Sequence, residues 1–252
     1  MMLYQYRGQI SDEKKFGFLV NLLANGSLKF SKPSEFNDPF DCLPTVVWEA
    51  PVGALPHFVA DQMHRGTQNA LSQYIGISCF TPHPDKMLMW SHYGDQHRGI
   101  CIGFDSDELK KNVIKNSEGH ALFSDFRKVE YTNCRPKHGD ENSIYKKSLE
   151  WQYEDEYRLV TTCRPGTPEW GPGVWNVPVS SIKEVILGAR MAPEWEARVT
   201  EYVSSKNPDV TLKKAASHSH HFEMIIDNLS DFPHCGESKG VILMPSGEWR
   251  NT

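Results

Sequence analysis

What this 252-residue chain lacks narrows its class first. Its six cysteines, Cys42, Cys79, Cys101, Cys134, Cys163 and Cys235, include no C-x-x-C pair. Zinc-ribbon and thioredoxin-type spacings are therefore absent. Cys79, Cys101 and Cys163 fall in strand-like runs, where a reduced thiol packs like a small hydrophobe. No apolar run approaches the roughly 20 residues of a membrane-spanning helix. The opening Met1 to Arg7 has no signal-peptide core, so the expectation is a soluble, cytoplasmic protein with no membrane partner. There is no G-x-G-x-x-G and no Walker A motif, which argues against a Rossmann site and a P-loop. A basic excess is also missing: 27 Lys and Arg face 32 Asp and Glu, for a net charge of −5. That balance gives no strong general nucleic-acid footprint, although Lys110, Lys111 and Lys115 form a local basic patch. Neither an internal repeat nor a long linker divides the chain, and one domain over residues 1–252 is expected.

The hydrophobic pattern alternates between strand and helix periods. Leu3 to Arg7 reads as a strand. Ser11 is placed to cap a helix whose Phe16, Leu19, Val20 and Leu23 share one face, with Gly26 closing it. Further strands are predicted at 27–30, 76–80, 99–104, 156–162, 174–179, 182–187, 210–214 and 222–226. Helices are predicted at 56–73, 85–93, about 144–153 and 193–205. The class is α/β or α+β, a single mixed-sheet domain with flanking helices.

Polar chemistry gathers in three segments. In Phe36-Asn37-Asp38-Pro39-Phe40-Asp41, the pre-proline pair favours a turn, and Phe36 and Phe40 are placed to anchor it in the core. The second segment runs from Ser78-Cys79-Phe80-Thr81 through Met87-Leu88-Met89-Trp90-Ser91-His92-Tyr93-Gly94 to His97-Arg98-Gly99. Met87, Leu88 and Trp90 are expected to dock its helix, leaving His92 beside a cleft. The third runs from Lys147 through Trp151 to Glu154-Asp155-Glu156-Tyr157-Arg158. If extended, Glu154, Glu156 and Arg158 share one face, and two close carboxylates repel unless a cation compensates. Arg158 and Lys147 are the candidate cations. Each segment also has a plain structural reading: a self-bonded turn, a satisfied histidine, an i,i+4 ion pair. His218, His220 and His221 read as a polar loop entering a strand.

Taken in order, FNDPFDC, CFT with MWSHYGD and HRG, and K-x-x-x-W-x-YE-x-EYR resemble an uncharacterised bacterial family, domain-of-unknown-function family 2971. The likeness extends from about residue 3 to residue 190, leaving 191–252 as a C-terminal extension. Thr81 stands where that family is expected to carry Ser. The order of a basic residue on an early strand, a hydroxyl ending a middle strand and a later Glu-x-Glu is similar to the ADP-ribosyltransferase superfamily. That resemblance implies an ADP-ribosyltransferase-like fold, NAD as substrate and an unknown acceptor, protein or nucleic acid. It implies Arg7 as the dinucleotide anchor, Ser78 and Thr81 at the nicotinamide pocket and Glu156 facing the ribose. Asn37, Asp38, Trp90, Tyr93 and Arg158 join the expected ligand-binding set, and Glu154 and His92 the expected catalytic set. A fixed carboxylate suits the cationic ribose that glycosidic cleavage develops, and a second can deprotonate an acceptor. Two other classes remain open. One is a metal-dependent phosphoesterase or nuclease using Asp38, Asp41, His92, Glu154 and Glu156. The other is a non-enzymatic ligand-binding or sensor domain of a bacterial defence or stress system.

These readings predict that the three segments meet at one pocket, that no metal is needed for folding or binding, and that Glu156→Gln leaves stability intact. Coordinates placing Asp38, His92 and Glu156 on separate surfaces would overturn the first.

Overall fold

The computed structural model describes residues 1–8, 10–43, 57–113, 122–137, 139–162, 171–232, 241–243 and 249–251. Cys163, Cys235 and Lys115 lie outside them. Along the chain come β1 (Met2–Arg7), α1 (Glu13–Asn25), β2 (Ser27–Phe30), α2 (His57–Leu71), β3 (Ile75–Phe80), α3 (Met87–His92), β4 (Ile100–Asp105) and α4 (Ser106–Val113). Short strands β5 (Leu122–Phe123), β6 (Arg127–Lys128), β7 (Glu130–Thr132) and β8 (Lys146–Ser148) lead to a 3-10 helix, Leu149–Glu154. Then follow β9 (Tyr157–Thr162), β10 (Gly173–Asn176), β11 (Ile182–Leu187), α5 (Pro193–Lys206), β12 (Thr211–Ser217), β13 (Met224–Asn228), β14 (Val241–Leu243) and β15 (Trp249–Asn251).

Two sheets carry the fold. The larger has the order β1-β4-β11-β12-β13. Its pairs are antiparallel except β11 with β12, which α5 connects as a parallel crossover. The second is built on β9, which pairs antiparallel with β3, β5 and β6. This is a mixed α/β architecture, and residues beyond 190 are integral to it through α5, β12 and β13.

Period-two alternation covers both faces of the larger sheet. Ile100, Ile102, Phe104, Val185 and Leu187 face the main core with Leu19, Leu22 and Leu23 of α1 and Trp195, Val199 and Val203 of α5. Tyr4, Tyr6, Cys101 and Ile186 face the other way, onto Met89 and Trp90 of α3. Trp90 is wholly buried, its ring edge-on to Tyr6 at 5.1 Å and its Nε1 donating to the Pro84 carbonyl. The docking face of α3 is thus Met89 and Trp90, whereas Met87 and Leu88, expected to dock, are exposed. Asp12, not Ser11, caps α1 by accepting from the Lys15 amide, and Gly26 closes it in the left-handed region. The cap of α3 is Lys86, with no side-chain bond, so the helix predicted from residue 85 begins at Met87.

Behind α3 the chain makes an unusual turn. Asp95, Gln96 and His97 all have positive φ, at 47°, 56° and 69°, a conformation costing roughly 1–2 kcal/mol per non-glycine residue. The turn is held by backbone bonds from Gln96 to Ser91, His97 to Trp90, Gly99 to Gly94 and Arg190 to His97. It brings Gly99 so close to β1 that an added Cβ would lie 2.0 Å from the Arg7 carbonyl oxygen.

Gly99→Ala therefore forces backbone apart where no side chain can yield. Its expected cost is at least about 1–3 kcal/mol, as for overpacking of a core. Urea unfolding checks this, and an unchanged midpoint would contradict the close approach.

Candidate functional site

The site begins where the two sheets touch. Tyr4 and Thr81 exchange backbone hydrogen bonds of 2.7 and 2.9 Å, tying β1 to the residue after β3. Beyond that bridge β1 is not laddered to β3, and its whole length pairs on its other edge with β4. The Gln5 side chain spans the gap, donating to Ser78 Oγ at 2.9 Å and to the Cys79 carbonyl at 3.2 Å. The opening wedge forms a cavity of about 410 Å³, within the range of small-molecule sites. Its lining includes Arg7 of β1, Ser78 and Thr81 of the β3 arm, His92 and Tyr93 at the end of α3, and Asn37, Asp41, Lys147, Glu154 and Glu156.

Under one wall lies a closed charge network. Arg158 is wholly buried on β9; it grips Glu156 with Nε and Nη2 at 2.7 and 2.9 Å and reaches Asp41 at 2.8 Å. Its other nitrogen donates to the Ile144 carbonyl at 2.6 Å and to Cys42 Sγ at 3.3 Å. The Lys147 ammonium, on β8, sits between Glu154 at 2.6 Å, Glu156 at 3.1 Å and Asp41 at 3.4 Å. Glu154 ends the 3-10 helix, and Asp155, left-handed at φ 46°, reverses the chain so that Glu156 enters β9. The two glutamates thus approach one ammonium from different local structures.

Their environments push them apart. Burial raises the Glu154 carboxyl above the usual 4.5, and the attraction of Lys147 does not offset it. Burial also acts on Glu156, but Arg158 and Lys147 overcome it and hold that carboxyl well below 4.5. Lys147 is desolvated too, yet Glu156, Asp41 and Glu154 keep it firmly protonated. Such divergence between neighbouring carboxylates is how acid and base roles are set apart. The Tyr93 hydroxyl donates to Glu154 Oε1 at 2.6 Å, and Asn37 stands 3.4 Å from it.

Arg7 is the opposite case. Its Nη2 donates to Gln5 Oε1 at 2.6 Å, but its Nε is buried without a hydrogen-bond partner. Burial lowers its pKa to about 10, so it remains a cation at neutral pH.

Of the residues expected from sequence, Arg7, Asn37, Ser78, Thr81, His92, Tyr93, Glu154 and Glu156 line one cavity, whereas Asp38, Trp90 and Arg158 lie behind its wall. Asp38 is turned into its own loop, where Oδ1 accepts from the Phe40 amide at 2.8 Å. Trp90 is consumed by core packing, and Arg158 by its carboxylates. Phe40, expected in the core, is 59% exposed with Arg135 over its ring. Trp151 is half-buried. Gln5 was missed, although it shares a strand face with Arg7 in the alternation Leu3-Tyr4-Gln5-Tyr6-Arg7. Three of the carboxylates proposed for a metal, Asp41, Glu154 and Glu156, converge instead on the Lys147 ammonium. Among the described residues no group of three or more His, Cys, Asp and Glu has the geometry of a metal site.

Residues 89–159 match the profile of a family described as Protein of unknown function (DUF2971). The stretch runs from α3 through Lys147, Glu154 and Glu156 to Arg158, so the resemblance read from those motifs is borne out over it. No curated protein and no solved structure matches the chain.

Glu156→Gln strips Arg158 of a buried partner, so the earlier expectation of unchanged stability is reversed. Breaking a buried pair typically costs about 3–5 kcal/mol, and chemical denaturation should show a loss of that order. The pH dependence has two signs. Glu156 contributes fully above its unfolded value near 4.5, and this is lost only as pH falls through its depressed folded value. Glu154 favours the folded state when protonated, and that contribution fades as pH rises from 4.5 through its raised value. Carboxyl-carbon NMR titration should find the two glutamates on opposite sides of 4.5; coincident titrations would contradict the geometry.

Proposed function

We propose, for a chain whose residues 89–159 carry the features of that family, that the cleft takes NAD and transfers its ADP-ribose to an acceptor. The observation that carries this reading is the polarity of the cavity. On the β1 side stands Arg7, a cation with a buried, unpartnered Nε. On the other side three carboxylates, Asp41, Glu154 and Glu156, face two cations, Lys147 and Arg158, an excess of one negative charge (3 − 2). NAD bears both complements, a pyrophosphate and a pyridinium ring. Ser78 and Thr81 add hydroxyl-bearing residues to the lining.

In this reading Arg7 holds the pyrophosphate. Glu156, pinned by Arg158, supplies a fixed negative charge as the ribose C–N bond breaks and positive charge develops. Nicotinamide leaves with the bonding electron pair. The acceptor nucleophile forms the new bond to the ribose carbon and gives its proton to Glu154, whose raised pKa suits a general base. This assigns the base role to Glu154 and keeps Glu156 as the electrostatic group. Tyr93 orients Glu154 through its 2.6 Å bond. The alternative of a divalent-metal centre would require an ion to displace a tethered ammonium from the same oxygens.

Calorimetric NAD titration and chromatographic assay of nicotinamide, with and without cell extract as a source of acceptor, test the reading. Arg7→Gln should weaken NAD binding about tenfold or more, the scale of a hydrogen bond to a charged group. Glu154→Gln at saturating NAD should slow nicotinamide release on the order of 10²-fold. Binding without release in the wild type would leave a sensor module. Absence of both binding and release would overturn the proposal.

A further inference from the structure

The carboxylate end of the cleft continues outward from His92 and Tyr93, which line the cavity, into an aromatic wall completed by two rings outside that lining. His92 and Tyr93, at the end of α3, meet Trp151 and Tyr153 of the 3-10 helix Leu149–Glu154. His92 lies 6.3 Å from Tyr93, 6.1 Å from Trp151 and 6.3 Å from Tyr153, and Trp151 lies 6.0 Å from Tyr153, between ring centroids. His92 is exposed, and the other three are half-buried. Tyr153 and Tyr93 also pack against the core cluster under α3, which fixes the wall. Trp151 already receives one cation: the Lys147 ammonium is 5.1 Å from its ring centroid.

Charge decides what such a wall takes. Glu154 is faced by Lys147 from β8, Tyr93 from α3, Tyr131 from β7 and Glu156 from the start of β9, with Asp41 on the far side of Lys147. Asp155 next to it is already neutralised by Lys128 at 2.6 Å and bonded to His83 at 3.3 Å, and Glu150 of the same 3-10 helix is exposed. A phosphate-bearing strand meets carboxylates here. A flat cation meets π-faces and a paired network that carries one negative charge in excess, the combination that recognises organic cations.

We propose that this end of the cleft selects a flat organic cation, held between Glu154 and the wall of His92, Tyr93, Trp151 and Tyr153, and so distinguishes a pyridinium ring from its uncharged dihydro form. The inference deepens the NAD reading by fixing which end of the dinucleotide lies at Glu154, and it rests on that reading for the dinucleotide alone. A neutral ring of the same shape keeps the stacking contact and loses the charge term.

The experiment is a set of calorimetric titrations with two matched pairs, NAD against NADH and N1-methylnicotinamide against nicotinamide. In each pair the cation should bind at least about tenfold tighter, the size of a desolvated cation–π contact joined to a carboxylate. Glu154→Gln should bring each ratio to within about twofold of one. Trp151→Leu, at a half-buried position, should reduce the ratio without abolishing it, and it carries the test if Glu154→Gln does not fold. Equal binding of NAD and NADH would overturn this inference while leaving the NAD reading in place. Binding of N1-methylnicotinamide over nicotinamide with no binding of either dinucleotide would keep the cation site and remove the NAD reading. No binding of any of the four would remove both.

Discussion

The arrangement of Lys147 and Arg158 among Asp41, Glu154 and Glu156 is the constraint on which the cleft depends. Five ionised groups cannot be withdrawn from water unless each finds partners, because an isolated buried charge costs far more than a protein's net stability. Every member here has them, drawn from four places in the chain: the loop after β2, β8, the end of the 3-10 helix and β9. The network therefore fixes those segments relative to one another and gives the cavity a rigid charged wall. Preorganised charge of this kind is effective because nothing must reorient when a ligand's own charge changes.

The second condition is the incomplete junction of β1 with β3. A full ladder between them would close the wedge and leave a continuous sheet. One bridge at Tyr4 and Thr81, with Gln5 filling the next step, keeps the sheets together and leaves Arg7 at the open end. The left-handed turn Asp95–His97 supports the same end from behind, since Gly99 packs directly on the Arg7 carbonyl. Strain in that turn is offset by its backbone hydrogen bonds.

Much of this was legible in the sequence, and the misses have physical reasons. The hydrophobic pattern located β2, β3, β4 and β11 closely, since β4 is an apolar run buried on both faces and β2 alternates buried Leu28 and Phe30 with exposed Lys29. The cations for the Glu-x-Glu pair were legible as Arg158 and Lys147. Which carboxylate remains under-compensated was not, because that depends on Asp155 adopting a left-handed conformation, and only then do Glu154 and Glu156 reach one ammonium from different directions. Met87 and Leu88 were misread as docking residues because a six-residue helix has too few turns to define its phase. Trp90, rightly expected to dock, was also counted in the ligand-binding set although it does not line the cavity. Its burial follows from the Tyr6 face of a strand more than 80 positions earlier. Phe40 was assigned to the core on hydrophobicity alone, and its ring instead lies beneath Arg135. The short helix α4 and strands β5 to β7 carry no periodicity long enough to detect.

The ammonium of Lys147 has one further consequence. A carboxylate cluster that recruits its cation from solution is full or empty according to the ions around it. Here the counter-ion is part of the chain, at an effective concentration that no dilution or chelator changes, and the pair is too buried for dissolved salt to screen strongly. The electrostatic character of the cleft wall is thus inherited with the sequence and only weakly sensitive to ionic strength, whereas the exposed pairs, such as Lys29 with Glu35, weaken as salt rises.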